Sequence, residues 1–241
     1  MCAKYVGQPV LRKDGYEKVT GKARYIDDIH FPDMLHGISV RSSLARAKIR
    51  EIQFDPSIHW KEWVTVIAKD IPGENQITTI MKDQPCLADQ IINHAEEAFA
   101  LLAHSDKNLL EKGRKNVHLI ADPLTPVLSI EDSLDHKEII WGKDNLIQSY
   151  QIEKGNVDPV WEKAGLIVVE GEYRTGAQEH LYIENHGVIA MANPKDGITV
   201  WGSLQCPYYV HKALQTIFPQ VGEKIRVIQT ETGGGFGGKE D

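Results

Sequence analysis

The residue types most able to do chemistry lie together near residue 240. Gly233-Gly234-Gly235-Phe236-Gly237-Gly238-Lys239-Glu240 is a glycine-dense segment, followed in this sequence by Asp241. Glycine lacks a Cβ, so such a loop tolerates positive φ and brings its backbone N–H groups close to a ligand. Concavities of successive N–H groups cradle phosphates and other oxyanions. Local spacing leaves several chemistries open. Gly233, Gly235 and Gly238 fit the GxGxxG spacing of a dinucleotide fold, but that fingerprint requires a following helix and an acid about 20 residues on. The same residues fit the GxxxxGK of a P-loop, where Ser or Thr should follow to hold magnesium. Glu240 stands there instead, and its charge repels a phosphate. The plainest alternative is a tight turn that lets two segments pack closely. Glycine fills all but one position from 233 to 238, more than a turn needs.

Other reactive side chains are dispersed. Cys2, Cys86 and Cys206 are odd in number, far apart and form no CxxC pair. That pattern speaks against a disulfide framework and against a zinc or iron–sulfur site built by this chain alone. The 10 histidines show no HExxH spacing. His180 and His186 are spaced poorly for one helix face. Glu111-Lys112-Gly113-Arg114-Lys115 reads as a solvated charged face.

The elements that must position the loop follow from periodicity and turn chemistry. Residues 8–34 are turn-rich and charged, an entry arm. Met34 to Ser39 and Ala47 to Phe54 alternate as strands, and Val64 to Ile67 reads as a short buried strand. Asp70-Ile71-Pro72-Gly73 is a turn. Residues 95–103 are apolar and fit either helix or strand. Ser105 is expected to cap a helix from Asp106 to Lys112. Val117 to Ile120 is a strand ended by Asp122-Pro123. The polar stretch 131–163 reads as a connector, and Leu166 to Tyr173 as a strand. Val188 to Ala192 and Ile198 to Trp201 flank Asn193-Pro194-Lys195-Asp196-Gly197, a hairpin turn. Pro207 opens a helix whose stripe is Val210, Ala213, Leu214 and Ile217. Pro219 ends it, and the strand Ile225 to Ile228 leads into the glycine loop. Strands and helices do not alternate regularly, which predicts an α+β fold.

Composition bounds the function. A 241-residue chain with 41% hydrophobic residues builds a real core, and a net charge of -7 with scattered Lys and Arg argues against nucleic acid. No apolar run reaches the ~18 residues of a membrane span. Met1-Cys2-Ala3-Lys4-Tyr5 has no apolar signal region, so the expected location is cytoplasmic.

Longer motifs carry a resemblance. Val6-Gly7-Gln8-Pro9-Val10, Arg12-Lys13-Asp14-Gly15 and Lys18-Val19-Thr20-Gly21-Lys22-Ala23-Arg24-Tyr25 come first. Asp28-Ile29, Phe31-Pro32-Asp33-Met34-Leu35-His36, Arg41-Ser42, Ala47-Lys48-Ile49, Asp70 to Gly73 and Ile130-Glu131-Asp132 continue them. Asp83 to Ala88 is a looser match. Gln178-Glu179-His180-Leu181-Tyr182-Ile183-Glu184 and Gly233 to Glu240 are the most specific. Together they resemble the molybdenum subunit of the xanthine dehydrogenase/aldehyde oxidase family over nearly the whole chain. Three stretches depart from its pattern. Ala95-Glu96-Glu97-Ala98 replaces a Gly-x-Pro lead, and Arg41 to Arg46 lacks the usual Pro and His. Ala121 to Pro126 lacks the common Tyr-Glu.

The resemblance implies an arm at 1–17, an a/b hammerhead domain at 18–130, a connector at 131–163 and the first part of a molybdopterin-binding domain at 164–241. It implies oxidative hydroxylation of an aldehyde or N-heterocycle with water as oxygen source, at a molybdenum held by the dithiolene of a pterin in dinucleotide form, with no direct protein metal ligand. Gln205 corresponds to a glutamine that bonds an oxygen ligand of molybdenum, and Phe236 and Gly237 to a loop lying against the metal centre, whose neighbouring N–H groups can donate to an oxo or pterin oxygen. Glu240 corresponds to a substrate-contacting glutamate of the purine-oxidising branch, which points to a purine such as xanthine or hypoxanthine. The family's catalytic glutamate is expected beyond residue 241, so no catalytic residue is assigned here. Glu179 and Glu184 belong to a motif read as structural. With Met1 as the start, FAD and [2Fe-2S] centres are expected on partner subunits, alongside the remainder of the molybdenum subunit. The competing expectations are a non-catalytic remnant or subunit-assembly module, an aldehyde-oxidising member, and a phosphate-binding domain.

Overall fold

The computed structural model describes residues 6–78 and 81–240; Cys2 and the first residues of the expected arm lie outside them. The chain forms two units, Met1–Pro123 with His180–Asp241, and Leu124–Glu179.

In the first unit a short helix, α1 (Gly15–Val19), precedes two three-stranded sheets. One sheet has β1 (His36–Arg41), β7 (Ala98–His104) and β3 (Val64–Ile67) in the order β1-β7-β3, both pairs antiparallel. The other has β2 (Ala47–Phe54) between β6 (Ile91–Ile92) and β8 (Val117–Pro123), again antiparallel. A minor pair joins β4 (Ile77–Thr78) to β5 (Lys82–Gln84). One core cluster draws Val40, Phe99, Ala100 and Leu102 from the first sheet and Ala47, Ile92 and Val117 from the second. Phe99 is 2% exposed; truncating such a phenylalanine to alanine costs about 3–5 kcal/mol. Within the apolar run at 95–103 the strand begins at Ala98, with Phe99, Ala100 and Leu102 in the core and Leu101 facing outward.

The helix expected from Asp106 starts later. Asp106, not Ser105, accepts from Asn108 N (2.8 Å) and opens a 3₁₀ turn, and α2 spans Leu110–Lys115. Ser105 loses the role because a carboxylate one residue on reaches the orphan N–H.

A third sheet belongs to the C-terminal part of the same unit. β9 (Val188–Asn193) and β10 (Gly197–Gly202) form the hairpin, and Asn193 Oδ1 accepts from Lys195 N and Asp196 N to build its turn. β11 (Ile225–Gln229) lies parallel to β10. Parallel neighbours need a crossover, which α5 (Pro207–Ile217) supplies. Ala213 and Ile217 are buried, and Leu214 packs on Ile198, Val200 and Ile225. The arm seals this sheet: Phe31 stacks on Trp201 with ring centroids 5.0 Å apart, and Ile26 is buried against Gly187. The resulting combination of two three-stranded antiparallel sheets and one mixed sheet with a few helices is the expected α+β class.

The second unit contains α3 (Ile130–Leu134), capped by Ser129, and α4 (Asp158–Trp161). Asn145 organises it, accepting from Ile140 N and donating to Ser133 O and Glu138 O. Leu166 to Tyr173 is not a strand; Ile167, Val169 and Tyr173 are all close to nine-tenths exposed. Alternating pattern alone cannot make a strand, because its N–H and C=O groups need a neighbouring strand, and among the described residues none pairs with this segment.

Candidate functional site

The site grows from two turns that follow neighbouring strands. β10 ends at Gly202 and the chain continues through Ser203, Leu204 and Gln205 into α5; β11 ends at Gln229 and continues into the glycine loop. Because β10 and β11 are parallel, both exits open at the same end of the sheet. Gln229 Nε2 donates to Leu204 O at 2.6 Å and Thr230 N to Gly202 O at 2.9 Å, tying the exits together.

Gln205 meets the loop through both backbone and side chain. Its N–H donates to Lys239 O (2.7 Å), and its Oε1 accepts from Gly237 N (3.0 Å) and Lys239 N (3.1 Å). Two converging donors fix the amide orientation, since the NH2 end cannot accept. The remaining hydrogen-bonding end of the carboxamide is the Nε2 donor. Gly235 is essential to this arrangement: a Cβ there would collide with the Gln205 carboxamide. Phe236 is 76% exposed at φ 52°, and Gly237 follows at φ 93°. Glu240 is exposed. The structure therefore brings Gln205, Phe236 and Gly237 together, with Glu240 on the same short segment.

The loop's other anchor was not visible in the sequence. Lys239 is fully buried, and its Nζ donates to Glu184 Oε2 and to Ser203 Oγ, both at 2.9 Å. Ser203 Oγ donates to the same Glu184 oxygen at 2.5 Å, and Gly233 N donates to it at 2.7 Å. The ammonium also lies 4.8 Å from the Tyr182 ring centroid, a cation–π distance. Burial pushes the Glu184 carboxyl upward, but the hydrogen bonds from Ser203, Gly233 and Lys239 outweigh it and hold the group below its ordinary 4.5. Its Oε1 is buried and makes no hydrogen bond among the described residues, so Oε2 carries the whole compensation.

This geometry overturns the P-loop form of the phosphate-cradle reading. Lys239, the lysine of the GxxxxGK match, points into the protein. The N–H groups of Gly233, Gly237, Gly238 and Lys239 are taken by Glu184, Gln205 and Gly235 O. Of the loop N–H groups expected to be able to donate to an oxo or pterin oxygen, that of Gly237 is thus engaged within the protein. The N–H groups of Gly234, Gly235 and Phe236 take no part in these bonds.

The segment entering the loop is held by the arm. Lys18 Nζ bridges Glu231 (2.8 Å) and Asp14 (3.0 Å), and Arg12 pairs with Asp14. Hydrogen bonds from Arg12 and Lys18 hold the Asp14 carboxyl well below the usual carboxylate range. Among the described residues no group of three His, Cys, Asp or Glu side chains could hold a metal ion, and no helix is long and apolar enough to cross a membrane.

Two family models cover most of the sequence. Residues 20–120 match the aldehyde oxidase and xanthine dehydrogenase a/b hammerhead domain, and residues 141–241 match the molybdopterin cofactor-binding domain. The chain is 30% identical over 238 residues to the nicotinate dehydrogenase large molybdopterin subunit of Eubacterium barkeri, covering 98% of this chain and 56% of that one. It is 28% identical to a probable xanthine dehydrogenase subunit of Bacillus subtilis, covering 96% of this chain and 31% of that one. The fold superposes with a TM-score of 0.77 on the aldehyde oxidoreductase of Desulfovibrio gigas, at 21% identity, covering 92% of this chain and 26% of that one. The chain thus spans between about a third and about half the length of these two curated relatives.

Proposed function

The chain belongs to the xanthine dehydrogenase/aldehyde oxidase family and carries its a/b hammerhead and molybdopterin cofactor-binding domains; from that premise we propose that it forms one wall of the catalytic centre of a molybdenum hydroxylase acting on an N-heterocycle. When bound, the molybdenum–pterin group would supply the oxidising centre at which a water-derived oxygen reaches a substrate carbon. The observation that carries the reading is the Gln205 carboxamide, locked through its oxygen and retaining a neutral N–H donor. A neutral donor can bond an oxygen ligand of a metal without adding charge. Phe236 and Gly237 join Gln205 in the proposed cofactor surface, and the residues fit the group: the loop projects Phe236 outward, while the lysine that would suit a free phosphate is buried elsewhere.

Glu240 is the proposed substrate contact. Its carboxylate is exposed and can pair with a ring N–H. The name of the nicotinate dehydrogenase relative is that of an N-heterocycle enzyme, which supports the same class; a purine such as xanthine or hypoxanthine is the narrower form of the proposal. The dinucleotide form of the pterin, FAD and [2Fe-2S] partner subunits, further polypeptide completing the molybdenum subunit and a cytoplasmic location go with this reading, as does the division 1–17, 18–130, 131–163 and 164–241. No catalytic base is assigned among these residues.

Molybdenum and pterin content of the protein purified from its own host, in complex with whatever subunits accompany it, tests the core. The expected result is both in equal amount, and their absence from an intact complex overturns the reading. In the loaded complex, Glu240→Gln should lower kcat/KM for N-heterocycles by about tenfold or more and leave aldehydes nearly unchanged. An equal loss on both classes would remove Glu240 from substrate selection.

A further inference from the structure

We propose that Glu184 and Lys239 are positioning residues, a buried clasp that closes the glycine loop at both ends and so fixes the Gln205 carboxamide; the functional part of this inference rests on the reading of Gln205 given above. One oxygen, Glu184 Oε2, holds the first N–H of the loop, from Gly233, and the ammonium of its penultimate residue, Lys239. Lys239 is also the residue whose main chain grips Gln205, donating to Oε1 and accepting from the Gln205 N–H. Ser203, two positions before Gln205, joins the same carboxylate. Clasp and carboxamide therefore share Lys239 on one side and the 203–205 turn on the other.

Stability alone does not call for this pair. Replacing a buried ion pair by neutral groups of similar shape is often harmless or favourable. What a carboxylate with three converging donors provides is direction: each bond fails if the loop moves by about an ångström. The Tyr182 ring face further restricts where the ammonium can sit. A neutral replacement would keep the interior filled while releasing the loop from its single geometry.

The test compares Lys239→Met with the double variant Glu184→Gln/Lys239→Met in the full protein. Lys239→Met strands a carboxylate whose side chain is only 14% exposed, and a marked loss of stability is expected. The double variant removes both charges, and its melting temperature should return near that of the wild type. Amide hydrogen exchange of the double variant is then decisive. Protection at the 237 and 239 amides, which donate to Gln205, should fall by about tenfold or more while β10 and β11 keep theirs. In the molybdenum-loaded complex kcat should fall by about tenfold with KM little changed. Wild-type protection at both amides, or a kcat that recovers together with the melting temperature, would overturn the proposal. If the protein carries no molybdenum or pterin, the role assigned to Gln205 fails instead. The exchange measurement on the same sample still decides whether the clasp fixes the carboxamide.

Discussion

At the scale of single residues, Gln205 has two separable tasks. Its oxygen organises the loop, and its Nε2 is the donor that the proposed cofactor surface needs. Substitution by alanine removes both and leaves two backbone donors without their acceptor, which costs about 1–3 kcal/mol. Substitution by glutamate keeps an acceptor for Gly237 and Lys239 but abolishes the donor. Gln205→Ala is therefore expected to lower stability in urea denaturation by that amount. Gln205→Glu should remain within about 1 kcal/mol of the wild type while losing bound molybdenum. If glutamate retained full molybdenum content, the donor would have no part in holding the cofactor. Sequence spacing could not assign these tasks. Gln205 stood out only through its resemblance to a family position, and by local context it was an ordinary residue before a helix.

Among elements, the turn Asp70-Ile71-Pro72-Gly73 shows why a short motif can matter far from its neighbours in sequence. Glu74 N donates to Thr216 O at 3.1 Å, so the turn satisfies a carbonyl at the C-terminal end of α5, one of those a helix cannot bond internally. A Cβ on Gly73 would lie 2.6 Å from Ile217 O and from Pro219 Cδ, and still nearer to Thr216 O. These obstacles are largely backbone and cannot rotate away. Gly73→Ala is expected to cost about 1–3 kcal/mol by overpacking, read as a lower melting temperature. An unchanged melting temperature would mean that the turn does not dock on α5. The turn itself was legible from its chemistry, as were β2, β3, the Asn193 hairpin and α5, because each is specified by local pattern and punctuation. What it docks against was not. Leu166 to Tyr173 failed for the opposite reason: its pattern is local, but a strand exists only with a partner. The Glu184–Lys239 clasp also spans a separation in sequence, of 55 residues, so local spacing offered the lysine only as part of a GxxxxGK match that Glu240 opposes. The available signal was that two specific motifs, Gln178 to Glu184 and Gly233 to Glu240, each contain one member of an opposite-charge pair.

For the whole molecule, the shifted groups define a window of stability in pH. Glu184 is held below 4.5 in the folded chain despite its burial, and Asp14 and Asp55 lie below their ordinary 3.8. A depressed carboxyl contributes stability that is fully present above its unfolded value and is lost as pH falls through its folded value. All three therefore destabilise the fold on acidification below about pH 5. Asp14 is paired with Arg12 and Lys18 at the surface, where the contribution is small and screened by salt, whereas Asp55 is held mainly by hydrogen bonds from Ser57, which salt leaves in place. Glu184, whose partners Lys239 and Ser203 are buried, also keeps its contribution in salt. At the alkaline end, burial raises the Cys86 thiol above its ordinary 9.0. The unfolded chain then releases that proton first, and stability falls as pH rises past about 9. The expected curve of melting temperature against pH is a plateau near neutrality with a fall on each side. In about 0.5 M salt the Asp14 contribution is suppressed and that of Asp55 is common to both proteins, so the double variant Glu184→Gln/Lys239→Met should show a shallower acid limb than the wild type. An acid limb identical in both proteins would mean that the clasp is not the group titrating, and that the acid sensitivity of this fold arises outside the glycine loop.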